Sequence, residues 1–455
     1  MSGNGTPTRK PGALAIIAAG TIGNALEWYD LFVYGYLAVI IGKIFFPSGS
    51  EFTSLLYAVG TFGVSYIMRP LGAAVIGSYA DRFGRKAGMT LTIGIMGLGT
   101  ALMAFTPGYE TIGKWAAVLV VIGKFMQGFS AGGEFGTSIA FMIESAPAKR
   151  KTFFGSFQFV GIGIATALAS YAGIALNTYF TPAELASWAW RLPFIFGLLI
   201  VPVGYLIRRG VSETPEFLAD ATAMKTTRPV ADLMLSGKAR LIFAIGIYSL
   251  SASTNYLLHA YIPTYAMREL RLSPDVSFWG AMLFSIVQIV LTPMIGMLCD
   301  RFGKFPFVVV GIVLTGIGTY PAFALMIAHP QPVMFLSIIT ILAVLVTVFT
   351  GPIPTLLAEQ FPMGVRTTGL GLVHNLNFTL FGGFAPFICV WLIHWSHDKF
   401  VPAYYVLVTA VMAFISVFFF GFRLRAGSHE AGAPPHGATQ AVNAYAAPSR
   451  QGPQT

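Results

Sequence analysis

The sequence predicts an all-α polytopic membrane protein, with twelve transmembrane helices in two pseudo-symmetric six-helix halves. Three observations carry this. Hydrophobic residues make up 55% of the 455-residue chain and charged residues 10%, where soluble domains are about a quarter charged. The mean hydropathy is +0.71. Stretches able to supply the roughly 20 apolar residues of a bilayer-spanning helix recur along the whole length, and a charged motif that follows one of them returns in the second half of the chain.

The spans fall near 13–42, 52–79, 87–106, 115–143, 152–178, 192–207, 241–266, 277–299, 305–328, 333–358, 367–394 and 401–422. The first follows Arg9 and Lys10 in the manner of a signal peptide, but it runs past signal length and carries polar residues, so it reads as a span. Nothing charged lies between Lys151 and Glu184, between Arg240 and Arg268, or between Lys304 and Glu359. The last of these stretches is long enough for two helices, and His329-Pro330-Gln331-Pro332 supplies the turn that divides them. The domains expected are an N-tail (1–12), an N-terminal bundle (13–207), a polar linker (208–240), a C-terminal bundle (241–422) and a tail (423–455). That tail is rich in Gly, Ala and Pro, lacks apolar periodicity and is expected to be disordered. In the linker, Thr214-Pro215-Glu216 reads as the cap and first turn of a surface helix.

The formal charge of +10 does not point to nucleic acid, because the basic residues are scattered through short loops rather than gathered on one face. They sort by side instead. With both termini together, 20 Lys and Arg fall on that side, six on the other, and Arg69 and Lys124 within spans. The bias places both termini and the linker in the cytoplasm of a multi-pass inner-membrane protein. Cys299 and Cys389 sit singly in apolar stretches, so no disulfide and no metal pair is expected.

Gly77-Ser78-Tyr79-Ala80-Asp81-Arg82-Phe83-Gly84-Arg85-Lys86 follows the second span, and Gly296-Met297-Leu298-Cys299-Asp300-Arg301-Phe302-Gly303-Lys304 follows the eighth. Their Asp-Arg-Phe-Gly tetrapeptides are identical and 219 positions apart. A weaker echo pairs Glu144 and Arg150 with Glu359 and Arg366. Two repeated six-helix halves are the plan of many secondary transporters, whose cargo site lies near midplane where the halves meet.

The first of these segments resembles the Gly-x-x-x-Asp-Arg-x-Gly-Arg-Lys signature of the major facilitator superfamily. Other segments are similar to its metabolite:proton symporter branch, which includes citrate and α-ketoglutarate permeases, shikimate carriers and proline/betaine carriers. They are Glu27-Trp28-Tyr29-Asp30, Phe45-Phe46-Pro47, Met68-Arg69-Pro70-Leu71-Gly72, Pro107-Gly108-Tyr109-Glu110-Thr111-Ile112-Gly113, Gln127-Gly128-Phe129-Ser130-Ala131-Gly132-Gly133-Glu134, Trp190-Arg191-Leu192-Pro193-Phe194 and Val365-Arg366-Thr367-Thr368-Gly369. Two departures stand out. Lys124 occupies a place where the family usually has Arg, a point charge in place of a fork. The loop after span eight ends Gly303-Lys304-Phe305 without the full basic run, which implies a weaker gate in the second half.

An ionised side chain in the bilayer costs at least about 2.5–3.5 kcal/mol even on insertion scales. Glu27, Asp30, Arg69, Lys124 and Glu134 are therefore candidate functional residues, weighed against a fixed ion-pair network that only ties helices together. Helical rise puts Arg69 about 15 Å from the cytoplasmic end of its span and Lys124 about 14 Å from the opposite end, both near midplane. Two buried cations suit an anionic cargo. Glu134 follows Ser130-Ala131-Gly132-Gly133, small residues that let helices approach, and is either a second proton site or part of a cytoplasmic-side network. Neutral candidates for cargo binding are Gln158, Asn255, Tyr256, His259, His374 and Asn375, with interhelical hydrogen bonding as their other role. By resemblance, Asp30 and Lys124 occupy the places of the aspartate and arginine paired in sugar–proton symporters. Asp30, Lys124, Glu134 and Glu27 are thus the expected proton-coupling residues. The resemblance also implies that Asp81, Arg82, Arg85, Lys86, Asp300 and Arg301 latch the cytoplasmic face in the outward-open state.

The function expected is proton-coupled symport of a di- or tricarboxylate such as citrate or α-ketoglutarate, by alternating access, in a lipid-embedded monomer with the proton as coupling ion and no cofactor. A zwitterionic osmolyte or a shikimate-like acid is the alternative cargo. Residues 424–455 show no heptads, and by resemblance osmosensing members of the branch carry a C-terminal coiled coil. A membrane-embedded enzyme or a receptor is the rival from another class. No metal-ligand cluster, nucleophile–base motif or Gly-rich phosphate loop in the sequence supports it.

Overall fold

The computed structural model describes residues 13–83, 85–132, 135–144, 146–199, 201–204, 238–361 and 366–421. The Thr214 cap, the C-tail and Glu134 lie outside the described residues. Six spans precede the linker: Ala13–Tyr36, Glu51–Phe83, Arg85–Phe105, Lys114–Ala131 continued by Phe135–Glu144, Lys151–Tyr179, and Ala189–Gly204. Six follow it: Lys238–Arg268, Pro274–Phe302, Lys304–Ala328, Pro332–Glu359, Arg366–Ser396 and Val401–Gly421. Eight of these helices are individually long and apolar enough to cross a membrane among the described residues. Below, the linker end is the end of the bundle where spans six and seven join the linker.

The first span departs from its sequence-based bounds. The apolar run to residue 42 is not one helix: a break at Leu37 turns Ala38–Phe45 through 67°. Lys43 explains the turn. It pairs with Glu51 at 2.8 Å with more than half its side chain in the open, while Ile41 and Phe45 bury inward, Phe45 edge-on to Trp190. A straight helix could not give Lys43 water and Phe45 a core together.

Polarity is arranged for lipid rather than water. Trp115, Tyr179, Ile317, Val333 and Trp395 are more than 60% exposed on the outside. Asp30, Arg69, Lys124 and His259 are buried within. With no water in the hydrocarbon, backbone groups close on themselves in helices and polar side chains must find partners inside.

Three local features of the sequence set the site. Gly128 and Gly132 of span four meet the carbonyls of Ser65 and Arg69 in span two so closely that any Cβ would collide with them. Spans two and four therefore touch backbone to backbone, which fixes the depth of Arg69. Pro70 has no N–H to bond the Tyr66 carbonyl one turn earlier. That carbonyl is taken instead by the Thr379 hydroxyl of span eleven, at 3.0 Å, across the boundary between the halves. In spans seven and eleven the helix widens to a π-turn at Tyr256–Tyr261 and Phe378–Gly383. Each wide turn is followed by a proline, Pro263 and Pro386, and such turns recur at functional sites.

The halves touch at both ends. At the linker end Asp300 and Thr355 reach span five. At the opposite end Phe52 stacks on His394 at 3.6 Å, and Phe384 and Phe387 close on Gly63 and Gly60. A void there, lined by Gly35, Phe62, Ala260, Tyr261 and Pro386, has room for about one water at 10 Å³.

Candidate substrate and proton site

Between the halves, Arg69 lies in a box of aromatic rings. Its guanidinium carbon sits 4.3 Å from the Tyr66 ring centroid and 5.3 Å from that of Trp28. Tyr256 donates to the Tyr66 hydroxyl at 2.5 Å, and Phe378 meets both Trp28 and Tyr256 edge-on. Gly382 and Gly383 leave room for this: a Cβ at either would strike the Tyr256 or Tyr66 ring. Nη1 of Arg69 approaches Nε2 of His374 at 3.4 Å. A guanidinium only donates, so Nε2 accepts and Nδ1–H is left to donate to the Tyr248 hydroxyl, 3.1 Å away. Phe135 and Phe378 sandwich that imidazole, with centroids at 3.2 and 4.0 Å. Nε and Nη2 of Arg69 are buried and have no hydrogen-bond partner.

Asp30 and Lys124 lie apart from this box, inside the N-terminal half. They do not bond each other directly: two residues bridge them. Thr100 donates to Asp30 Oδ2, Gln127 donates to the Thr100 hydroxyl at 3.1 Å, and Lys124 donates to Gln127 Oε1 at 2.8 Å. The Lys124 ammonium also stands 4.3 Å over the Tyr34 ring. Asp30 Oδ1 has no partner and faces the backbone of Gly197, where a Cβ would overlap it. This chain of hydroxyl and amide can hold a proton on the carboxyl or leave the carboxylate under the pull of the ammonium.

The other candidates divide. Gln158 and Asn24 exchange hydrogen bonds, Gln158 Nε2 to Asn24 Oδ1 at 2.8 Å and Asn24 Nδ2 to the Gln158 carbonyl at 2.8 Å. Asn24 Oδ1 also holds the Trp28 indole N–H at 2.9 Å, so Gln158 steadies the aromatic wall. Asn375 donates to the Gly132 carbonyl across the halves at 3.1 Å, and Asn255 to the Ser251 carbonyl of its own helix. His259 packs against Phe284 at 4.5 Å. Glu27 is buried. At the linker end Asp300 accepts from the backbone N–H of Thr152 and of Phe153, both at 2.9 Å, capping span five from the other half. Arg301 is exposed over Phe302, and Lys304 pairs with Glu359 at 2.6 Å. The side chains of Asp81, Arg82, Arg85 and Lys86 lie outside the described residues.

Trp28, Tyr66, Tyr248, Thr100, Gln127 and Thr379 are not among the site residues expected from the sequence, although Trp28 and Gln127 lie in the segments of family resemblance. All are neutral, and none stands out in a chain that holds 39 Phe and 18 Tyr. Trp28 had a further available signal, its place between Glu27 and Asp30 at one-turn spacing from Asn24 and Phe32.

The chain is similar to several known proteins. Residues 14–232 match the family described as Sugar (and other) transporter, and residues 241–450 the Major Facilitator Superfamily. The chain is 35% identical over 396 residues to the citrate-proton symporter of Klebsiella pneumoniae, across 87% of this chain and 89% of that one. It is 32% identical over 410 residues to the proline/betaine transporter of Escherichia coli K12, across 88% and 82%. The partially occluded inward open conformation of the xylose transporter XylE from E. coli shares the fold, with a TM-score of 0.72 at 18% identity over 90% of this chain and 97% of that one.

Proposed function

The chain belongs to the major facilitator superfamily, in its metabolite:proton symporter branch, and from that premise we infer that it carries a small organic carboxylate with a proton by alternating exposure of the Arg69 box. It is a polytopic membrane transporter and not an enzyme. One observation supports the cargo most directly: the open Nε and Nη2 of Arg69 on the boundary between the halves. Buried donors on a cation are expensive to leave unpaired. A carboxylate answers a guanidinium fork with two charge-assisted hydrogen bonds. A di- or tricarboxylate such as citrate or α-ketoglutarate is the cargo favoured, in keeping with a citrate-proton symporter among the relatives.

The proton partner is Asp30. Its carboxyl is linked to the Lys124 ammonium through Thr100 and Gln127, so the distance between acid and cation depends on this bridge. A change of state that lengthens the relay loads the proton, and its closure releases it. The linker and both termini face the cytoplasm, and the monomer is the working unit.

The rings of Trp28, Tyr66, Tyr256 and Phe378 favour a second cargo, a zwitterion, because aromatic faces receive a quaternary ammonium. A proline/betaine transporter is also among the relatives. Uptake of labelled citrate, α-ketoglutarate, shikimate, proline and betaine into proteoliposomes, with and without an imposed proton gradient, decides between them. Gradient-driven accumulation of a carboxylate, lost in Arg69→Gln, is the expected result. Accumulation of proline or betaine and of no carboxylate would overturn it.

A further inference from the structure

The C-terminal half presents a second polar pair to the boundary, and neither side chain bonds any group beyond the other. His259 stands in the wide turn of span seven and Gln288 midway along span eight, both fully buried. Neither ring nitrogen of His259 nor either amide atom of Gln288 has a hydrogen-bond partner. The two side chains face each other, in a contact short of well-formed hydrogen-bond geometry. Phe284 and Phe32 face the imidazole at 4.5 and 5.8 Å, and the nearby Ser285 and Thr166 hydroxyls bond each other at 2.7 Å. Opposite, in span five, Gly163 contributes no side chain; a Cβ there would stand 3.3 Å from Gln288 Oε1.

More than nine in ten buried polar groups in proteins are paired, and each orphan costs about 1–3 kcal/mol. Even counting their mutual contact, two adjacent buried residues at a wide turn on the boundary between the halves keep hydrogen-bonding capacity that nothing in the fold uses. The pair is continuous with the Arg69 box. Trp28 and Phe32 lie one turn apart on the same face of span one and stack at 5.7 Å. Trp28 covers Arg69 at 5.3 Å and Phe32 covers His259 at 5.8 Å. Four residues of helix rise about 6 Å, so the rings that cover the two places stand one helical turn apart on span one.

We propose that His259 and Gln288 form a second subsite for the cargo. It takes an oxygen-bearing group, a second carboxyl, a hydroxyl or a keto group, at the end remote from the carboxylate on Arg69. The proposal rests on Arg69 holding a carboxylate. The subsite offers donors from the amide and the imidazole N–H and an acceptor from each residue. It therefore selects for polarity at the far end without adding a fixed charge. A cargo with an apolar far end leaves these groups unpaired, and sites of this kind reject such analogues most strongly.

The test uses the purified full-length chain and binding titrations followed by tryptophan fluorescence. Succinate, α-ketoglutarate and citrate are the two-ended probes and butyrate the one-ended probe. The expected result is that wild type prefers the best two-ended acid over butyrate, and that Gln288→Met weakens that acid about tenfold while butyrate is unchanged. Gln288→Asn, which keeps the amide, retains part of the preference, and Arg69→Gln weakens both classes. Retention of the full preference in Gln288→Met, or an equal loss for butyrate, overturns the subsite while leaving the Arg69 reading intact. Unchanged binding of both classes in Arg69→Gln, or no binding of any acid by wild type, overturns the carboxylate reading and the subsite with it.

Discussion

Asp300→Asn tests whether the contact at the linker end holds the two halves together. Asp300 belongs to the C-terminal half, yet its carboxylate accepts from Thr152 N–H and Phe153 N–H, both at 2.9 Å, at the start of span five in the N-terminal half. Charge-assisted hydrogen bonds contribute about 1.5–3 kcal/mol each when shielded, and a negative charge at a helix N-terminus adds up to about 1 kcal/mol. The site is partly exposed, so solvent screening reduces the sum to about 2 kcal/mol. Every 1.36 kcal/mol is a factor of ten, so the equilibrium should shift about thirtyfold toward states with the linker end apart. A cysteine at Ser156, fully buried one turn beneath the contact, reports this when Cys299 and Cys389 are replaced by Ala. Its labelling rate by a polar maleimide should rise by about that factor in Asp300→Asn and fall back toward wild type in Asp300→Glu. A rate within twofold of wild type in Asp300→Asn would show that the contact follows closure without stabilising it.

Three further outcomes are expected. Asp30→Asn loses gradient-driven accumulation but keeps cargo binding and exchange; continued accumulation under a proton gradient would move the coupling role to Glu27 or Glu134. Gln127→Leu, which cuts the bridge between Lys124 and Thr100, alters the pH profile of uptake without weakening binding, whereas Lys124→Arg keeps the charge and is tolerated; a single pH profile shared by wild type and Gln127→Leu speaks against the relay. Gly128→Ala forces a methyl against the Ser65 carbonyl, and overpacking of this kind costs about 1–3 kcal/mol, so its thermal unfolding midpoint in detergent should drop by several degrees.

What the sequence reveals of this molecule follows from how loudly each residue violates its surroundings. Apolar length alone yields eight of the twelve spans among the described residues, since backbone closure in lipid permits little else, and charged loops and turn residues divide the rest. A charge within such a stretch is equally plain, and Asp30, Arg69 and Lys124 announce themselves. Their partners do not. Thr100 and Gln127 carry no charge, and what ties them to Asp30 is a contact 70 positions away in the chain. Two midplane cations look equivalent on helical rise, yet Arg69 faces the boundary while Lys124 turns to Gln127 within its own half. Which way a buried side chain points depends on helix rotation, and that is decided by neighbours such as Gly128 and Gly132. The bend at Leu37 was hidden for a different reason: the apolar run continues through it, and only the need of Lys43 for water reveals where the helix must turn.

Span one joins the proton site to the cargo site, and this gives a last prediction. Asp30 and Trp28 are two residues apart, about 200° around the helix, so one points into the N-terminal half toward Thr100 and the other toward Arg69 and the second half. Asn24, held by Gln158, fixes the Trp28 indole to the same rigid segment. A helix so constrained cannot move its acid without moving its tryptophan. Proton occupancy at Asp30 and cargo at Arg69 then bias one equilibrium from opposite faces of a single element, which is the physical requirement for coupling. Trp28 emission, isolated by difference against Trp28→Phe, should therefore change with pH in the absence of cargo, over the range in which uptake is activated. That response should be absent in Asp30→Asn. If Trp28 reports pH equally well without the carboxyl, the proton acts elsewhere. If it reports cargo but never pH in wild type, span one is a wall of the site and not its lever.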